Sequence, residues 1–245
     1  KPASVPILMY HKVGDDGDDR WWVSRADFIA QLDYLKAAGF ETVLPSELAA
    51  HVRQQTPLPA RPVVLTFDDG NTNLLTVVEP LLKQYGFRGI GYLITSQVGL
   101  TASERHAYEG TDCLIWPEVC AMKGRGVIVF GGHTRSHRDL RRVPNPDHEI
   151  RGCMDDLYAH AGIKPDSFCY PGGRYHPPAL RSVQKAGFST AVTCENRVAI
   201  LDEETRLLEL PRRHVVGGMS LDAFKALLTP TPPPGPAIDP PASTK

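Results

Sequence analysis

The sequence predicts an α/β fold built on a parallel sheet, open or closed into a barrel. Two observations support this. Apolar runs of strand length alternate with segments of helical spacing along most of the chain, which is the pattern of repeated strand–helix units. Chemically loaded residues also follow several of those runs directly. In parallel α/β sheets the reactive groups collect at the carboxyl ends of the strands. A length of 245 residues is enough for one sizeable core.

Each element has its own signal. VPILMY (5–10) reads as a buried strand that runs into His11. The acidic loop GDDGDDRWW follows, and Asp15–Asp19 reads as solvated because EF-hand ligand spacing is absent. Ser24 with Asp27 opens a helix in the manner of a capping box, Phe28, Leu32 and Leu35 recur at helical spacing, and Gly39 stops it. A short strand ETVLP and a helix from Ser46 come next. The run VVLTF (63–67) is a buried strand ending on Asp68 and Asp69, followed by a helix over 76–85 and the strand GIGYLI. A looser stretch, 101–112, leads to a helix near Pro117. Strand GVIVF ends at Phe130 and runs into GGHTRSH. A helix over 147–160 precedes strand SFCY, which runs into PGGRY, and a helix over 178–186 precedes strand STAVT. LLELPRRHVV reads as another strand and SLDAFKALL as the last helix. The expected globular domain therefore covers 1–228. The remainder, 229–245, is dense in proline without apolar periodicity and reads as an extended, disordered tail or linker.

Composition narrows the function classes. A formal net charge of −1 argues against a nucleic-acid binder driven by phosphate contacts. No apolar stretch is long enough to span a membrane as a helix. No signal peptide is visible, and the start at Lys1 reads as a processed or trimmed chain. The five cysteines include no CxxC pair, so a thiolate zinc site is poorly supported. Cys113 and Cys120 could pair in an exported protein, whereas small apolar core residues are the simpler reading for most of the five.

Two segments carry chemistry. Adjacent carboxylates repel, and burying them is unfavourable unless something pairs or binds them. A bland reading of Asp68-Asp69-Gly70 is a strand surfacing into a turn. GGHTRSH places His133 and His137 four residues apart, so on a helical turn both imidazoles could reach one metal. Together with Asp69 they make three N/O ligands and leave a position open for water, the pattern of a catalytic metal. Carboxylate and imidazole suit zinc, cobalt, nickel or iron. Asp68, beside the ligand, can then take a proton from the attacking water. Both aspartates reach one site only if the chain bends near Gly70, because successive strand residues face opposite ways.

TFDDG (66–70), HTRSH (133–137) and the YPGG segment that follows resemble the polysaccharide deacetylase family, the NodB-homology family of carbohydrate esterases. The opening PILMYH resembles a branch that includes poly-N-acetylglucosamine deacetylases of biofilm matrices, with an acid-bearing motif permuted to the N-terminus. The resemblance covers about Pro6 to Leu228. It implies a distorted (β/α) barrel and metal-dependent hydrolysis of N-acetyl groups from an N-acetylglucosamine polysaccharide, with poly-β-1,6-N-acetylglucosamine as one candidate. By position it makes Asp68 the base and Asp69, His133 and His137 the ligands of a divalent metal, zinc first and cobalt or nickel as alternatives. His11 becomes the general acid. Substrate contacts fall on Tyr170, Pro171 and Gly172, the last supplying a backbone N–H to the oxyanion. Such a substrate implies an exported, periplasmic, outer-membrane or extracellular protein.

Two departures accompany the resemblance. Many members carry an arginine that orients the base where this chain has Cys169, and Arg174 or Arg135 are the substitutes the sequence offers. His214, near the C-terminus, is a rival to His11 as the acid. Trp21 and Trp22 could stack on sugar rings or pack over the barrel rim. The alternatives are a hydrolase of small acetylated amines or cyclic amides, and a carbohydrate-binding protein with weak or lost catalysis.

Overall fold

The central strand, Pro62–Phe67, is buried at all six positions, because it is covered on both faces. Its neighbours are Ile7–Tyr10 on one side and Gly89–Leu93 on the other. The full parallel path runs Thr190–Val192, Ser167–Cys169, Ile128–Gly132, Gly89–Leu93, Pro62–Phe67, Ile7–Tyr10, Arg213–His214, with Glu41–Thr42 added beside residues 62–63. The computed structural model describes residues 2–230. Most of the tail expected over 229–245 lies outside the described residues.

The sheet curls until its two ends approach each other. Leu210, just before the last strand, donates its N–H to Ala191 O at 2.9 Å and accepts from Thr193 N–H at 2.8 Å. The expected distorted barrel is thus observed, with a seam closed by an irregular segment.

Alternation along the strands sorts the core into two layers. Leu8, Tyr10, Leu65 and Phe67 face outward onto the helices, where they meet Phe28, Leu32 and Leu35 of helix Arg25–Ala37 and Leu82 of helix Glu79–Tyr85. Ile7, Val64, Ile90, Tyr92, Cys169 and Val192 face one another inside the barrel. Each fully buried aliphatic or aromatic side chain contributes roughly 1.5–3 kcal/mol. The helices begin and end as their sequences require. Ser24 Oγ accepts from Asp27 N–H at 3.0 Å, and left-handed glycines at 86, 126, 162 and 187 terminate four later helices.

Some details differ from the sequence reading. A π-turn, Leu74–Val78, precedes helix Glu79–Tyr85. Strand Ile128–Gly132 continues through two glycines assigned to the loop. A Cβ on Gly131 would lie 2.6 Å from the Tyr92 ring and 2.7 Å from Ser167 O, so only glycine lets the strand stay in register there. LLELPRRHVV is extended in a ladder only at Arg213–His214. The pair Ala3–Val5 with Ala199–Leu201, which had no sequence signal, is antiparallel. Cys113 is buried and Cys120 exposed, and both are free, so the possible pairing between them is not formed.

Candidate active site

Asp68 continues the inward alternation of Val64 and Thr66, and its N–H donates to Tyr10 O at 2.9 Å. Asp69 would then point outward. It does not, because its φ is +77° and that of Gly70 is +82°. The expected bend is real and starts one residue early, on a non-glycine in the left-handed region. Such strain persists only where the surroundings impose it. Both carboxylates end up buried, at 3% and 4% exposure.

Asp68 is held by Arg212. The guanidinium donates to Oδ1 at 2.8 Å and Oδ2 at 2.9 Å, and it also donates to Thr66 Oγ1 and Thr193 O. Arg212 is completely buried. Burial alone would push the Asp68 carboxyl up, but Arg212, with His11 and His133 behind it, more than offsets this and holds it well below the usual carboxylate range. This corrects the two substitutes suggested from sequence. Arg135 is occupied by Asp156 at 2.6 Å, and Arg174 is an exposed residue 3.9 Å from Asp139. Arg212 reaches Asp68 through the barrel seam, and the small Cys169 leaves room for it, with Sγ 3.2 Å from Nη2. The usable signal was ELPRRHVV itself: an arginine inside an apolar, strand-like run must face a partner if it is buried.

The two histidines meet Asp69 through a loop, not through the helical turn expected from their spacing. Residues 133–137 are irregular, with φ of +65° at Thr134 and +55° at His137. His137 N–H donates to Thr134 Oγ1 at 2.9 Å. Glu149 accepts from Ser136 N–H at 2.9 Å and from its hydroxyl at 2.6 Å, which anchors the loop to helix Asp147–Ala161. His133 Nδ1–H donates to Cys169 O at 2.8 Å, and His137 Nδ1 pairs with the Tyr108 hydroxyl at 2.8 Å. Both Nε2 atoms are therefore turned toward Asp69 Oδ1, at 3.5 Å and 3.9 Å. Tyr108 belongs to the hairpin Ala107–Tyr108/Thr111–Asp112 inside the stretch that looked featureless in the sequence.

This triad fits a divalent cation. Its three donor atoms lie within 4.8 Å of one another, and Asp69 Oδ1 is buried without a hydrogen-bond partner. Burial, then repulsion from His133, lowers the His137 pKa to about 4, so the imidazole is neutral and its lone pair is available. Asp68, His133 and Cys169 also cluster, but there the Arg212 guanidinium already neutralises the carboxylate.

A cleft of about 460 Å³ opens over these groups. A cavity of about 590 Å³ elsewhere, between Pro2 and Glu204, contains none of them. His11 lies in the active cleft with Nε2 3.9 Å from Asp68 Oδ2 and its ring 4.5 Å from that of Trp21. His214 lines the same cleft, but its Nε2–H donates to Cys194 O at 2.9 Å and burial lowers its pKa. Of the two tryptophans, Trp21 lines the cleft, while Trp22 pairs in a short ladder with Lys12 and packs over Gly17. Gly172 also lines the cleft. Tyr170 and Pro171 do not. The Tyr170 ring is buried and stacks on Tyr175 at 4.3 Å, and Pro171 is buried too, so both support Gly172 from below.

Residues 55–191 match the family model described as polysaccharide deacetylase, more than half of the chain. The chain belongs to the polysaccharide deacetylase family. It is a family of hydrolases that act on polysaccharide N-acetyl groups and in general depend on a divalent metal ion, for which the Asp69–His133–His137 triad is the candidate site. The Bacillus subtilis protein YxkH, whose name assigns it to the polysaccharide deacetylases, is 28% identical over 230 residues, 93% of this chain and 77% of its own. The Escherichia coli poly-β-1,6-N-acetyl-D-glucosamine N-deacetylase is 22% identical, and the match covers 89% of this chain but only 37% of that protein. Among solved structures, the Streptococcus pyogenes deacetylase PplD in complex with acetate superposes with a TM-score of 0.81 at 25% identity, covering 94% of this chain and 100% of that one. IcaB from Ammonifex degensii superposes with a TM-score of 0.76, also at 25% identity, covering 92% and 95%. His11 and Arg212 fall outside the span of the family model, so the acid candidate and the partner of Asp68 come from the flanking segments.

Proposed function

We propose that this chain is a zinc-dependent deacetylase of a β-linked N-acetylglucosamine polymer, with poly-β-1,6-N-acetylglucosamine as the preferred candidate, working outside the cytoplasm. The observation that carries this reading is the Arg212-held Asp68 beside the Asp69–His133–His137 triad in one open cleft. The names of relatives support the choice of polymer. No described helix is long and apolar enough to cross a membrane.

When bound, a divalent ion polarises the acetyl carbonyl and acidifies water. The chain's own residues do the rest. Asp68, ionised and fixed by two hydrogen bonds, orients a water and takes one of its protons. The water oxygen bonds to the acetyl carbon, the carbon–nitrogen bond breaks, and acetate leaves. His11 gives a proton to the departing nitrogen, which becomes the sugar amine. His214 is the weaker acid candidate, because its Nε2–H is engaged by the Cys194 carbonyl. Gly172 brings backbone to the lining of the cleft, and Trp21 offers an aromatic face beside His11.

The test is acetate release from β-1,4 and β-1,6 N-acetylglucosamine oligomers by chelated protein refilled separately with zinc, cobalt or nickel. Metal-restored release, selective for one linkage, is expected. Asp68→Asn should lower kcat by roughly 10²–10⁴-fold while metal content is retained. Release only from small acetylated amines, or binding without turnover, would replace this reading.

A further inference from the structure

We propose that Glu109 is a specificity residue that binds a free ammonium group on the sugar unit next to the one being deacetylated. This rests on the functional reading above and deepens it.

Glu109 lines the cleft that holds Asp68, Asp69 and both histidines. It directly follows Tyr108, whose hydroxyl is 2.8 Å from His137 Nδ1, so it stands beyond the triad along the cleft wall. Glu109 and Gly110 are the two turn residues of the hairpin, with φ of +46° and +75°. Turns of this kind favour Asn, Asp or Gly at the first position. A glutamate there has a longer reach than the turn requires. Among the described residues its carboxylate has no ion pair within 4.0 Å, and the neighbouring Tyr108 hydroxyl, whose pKa it helps to push up, carries no charge to offset it.

The position is fixed, not incidental. Lys12 is 2% exposed, and its Nζ donates to Glu109 O at 3.1 Å and to Asp19 Oδ2 at 3.1 Å. It therefore ties the hairpin tip to the loop that carries Trp21. The lysine charge is directed to Asp19, which leaves the Glu109 carboxylate uncompensated. Arg174, 60% exposed and 3.9 Å from Asp139, lines the same cleft. The cleft thus carries a carboxylate on the hairpin and a guanidinium on the segment after Gly173. A neutral N-acetylglucosamine unit has no use for that polarity. The reaction itself turns each acetamide into an amine that is cationic at neutral pH. A polymer already deacetylated at one unit carries the charge that the hairpin wall attracts and the Arg174 wall repels.

The test compares kcat/KM on a fully N-acetylated oligomer and on one of equal length with a single free amine, for the metal-loaded wild type and for Glu109→Gln. The wild type should prefer the amine-bearing oligomer by about fivefold, the upper end for an exposed ion pair. That preference should shrink in high salt and vanish in Glu109→Gln. Calorimetric binding of a fully deacetylated glucosamine oligomer, which needs no turnover, should weaken by a similar factor in the variant. Equal wild-type rates on both oligomers, or equal oligomer affinity in wild type and variant, overturns the proposal. A protein that releases no acetate from either oligomer yet binds the amine oligomer through Glu109 overturns the deacetylase reading and keeps the subsite.

Discussion

Replacing Arg212 by Met removes the group on which the ionisation of Asp68 depends. The pair is joined by bonds of 2.8 and 2.9 Å, with the arginine fully buried and the aspartate at 3% exposure. With charge centres roughly 4 Å apart and an effective dielectric of about 20, the attraction is about 4 kcal/mol. This agrees with the roughly 3–5 kcal/mol typical for removing one partner of a buried pair. For a chain of this size that is a fall in Tm of about 6–20 °C at neutral pH. The pH dependence follows from linkage. The native pKa of Asp68 lies below its unfolded value, so the pair's stabilisation is full above the unfolded pKa of about 4 and is lost as pH falls through the native pKa. In the variant, burial without the guanidinium raises the native pKa above the unfolded one. Its penalty is then greatest at neutral pH and fades as the carboxyl protonates. Thermal unfolding from pH 3 to pH 8 should show the gap between wild type and Arg212→Met narrowing toward acid. Adding Asp68→Asn to Arg212→Met should recover part of the lost stability. A gap that does not change with pH, or a double variant no more stable than the single, would refute the argument.

Tyr108→Phe removes the hydroxyl that orients His137. Metal affinity should drop by about 10–100-fold, read by chelator competition, with little change in Tm, and an unchanged affinity would show that the hairpin does not support the triad. Gly131→Ala puts a methyl group against the Tyr92 ring and the Ser167 carbonyl, so stability should fall by about 1–3 kcal/mol in a denaturant titration. A midpoint equal to wild type would mean that strand Ile128–Gly132 has room the structure does not show.

The sequence by itself determined the alternation of strands and helices, because apolar period and capping residues are local signals. Ser24 and the strand 63–67 needed no tertiary information to be read. It also supplied the candidate site residues: Asp68, Asp69, His133 and His137 follow strands, and a parallel sheet must gather strand ends on one side. The tertiary structure decided what depends on pairing between distant segments. Arg212 lies 144 positions from Asp68, and no local pattern says which arginine enters the barrel through its seam. The HTRSH loop bends by left-handed residues at Thr134 and His137, a conformation imposed by Glu149 and Asp156 on the following helix, so the helical spacing was right about proximity and wrong about geometry. Tyr170 does not line the cleft because its ring packs in an apolar cluster with Phe168 and Tyr175. Tyr108 and Glu109 reach the cleft because a hairpin without apolar periodicity is anchored by the buried Lys12. Local energetics write themselves into sequence periodicity, whereas the burial of a charge is settled only by the partner that folding brings to it.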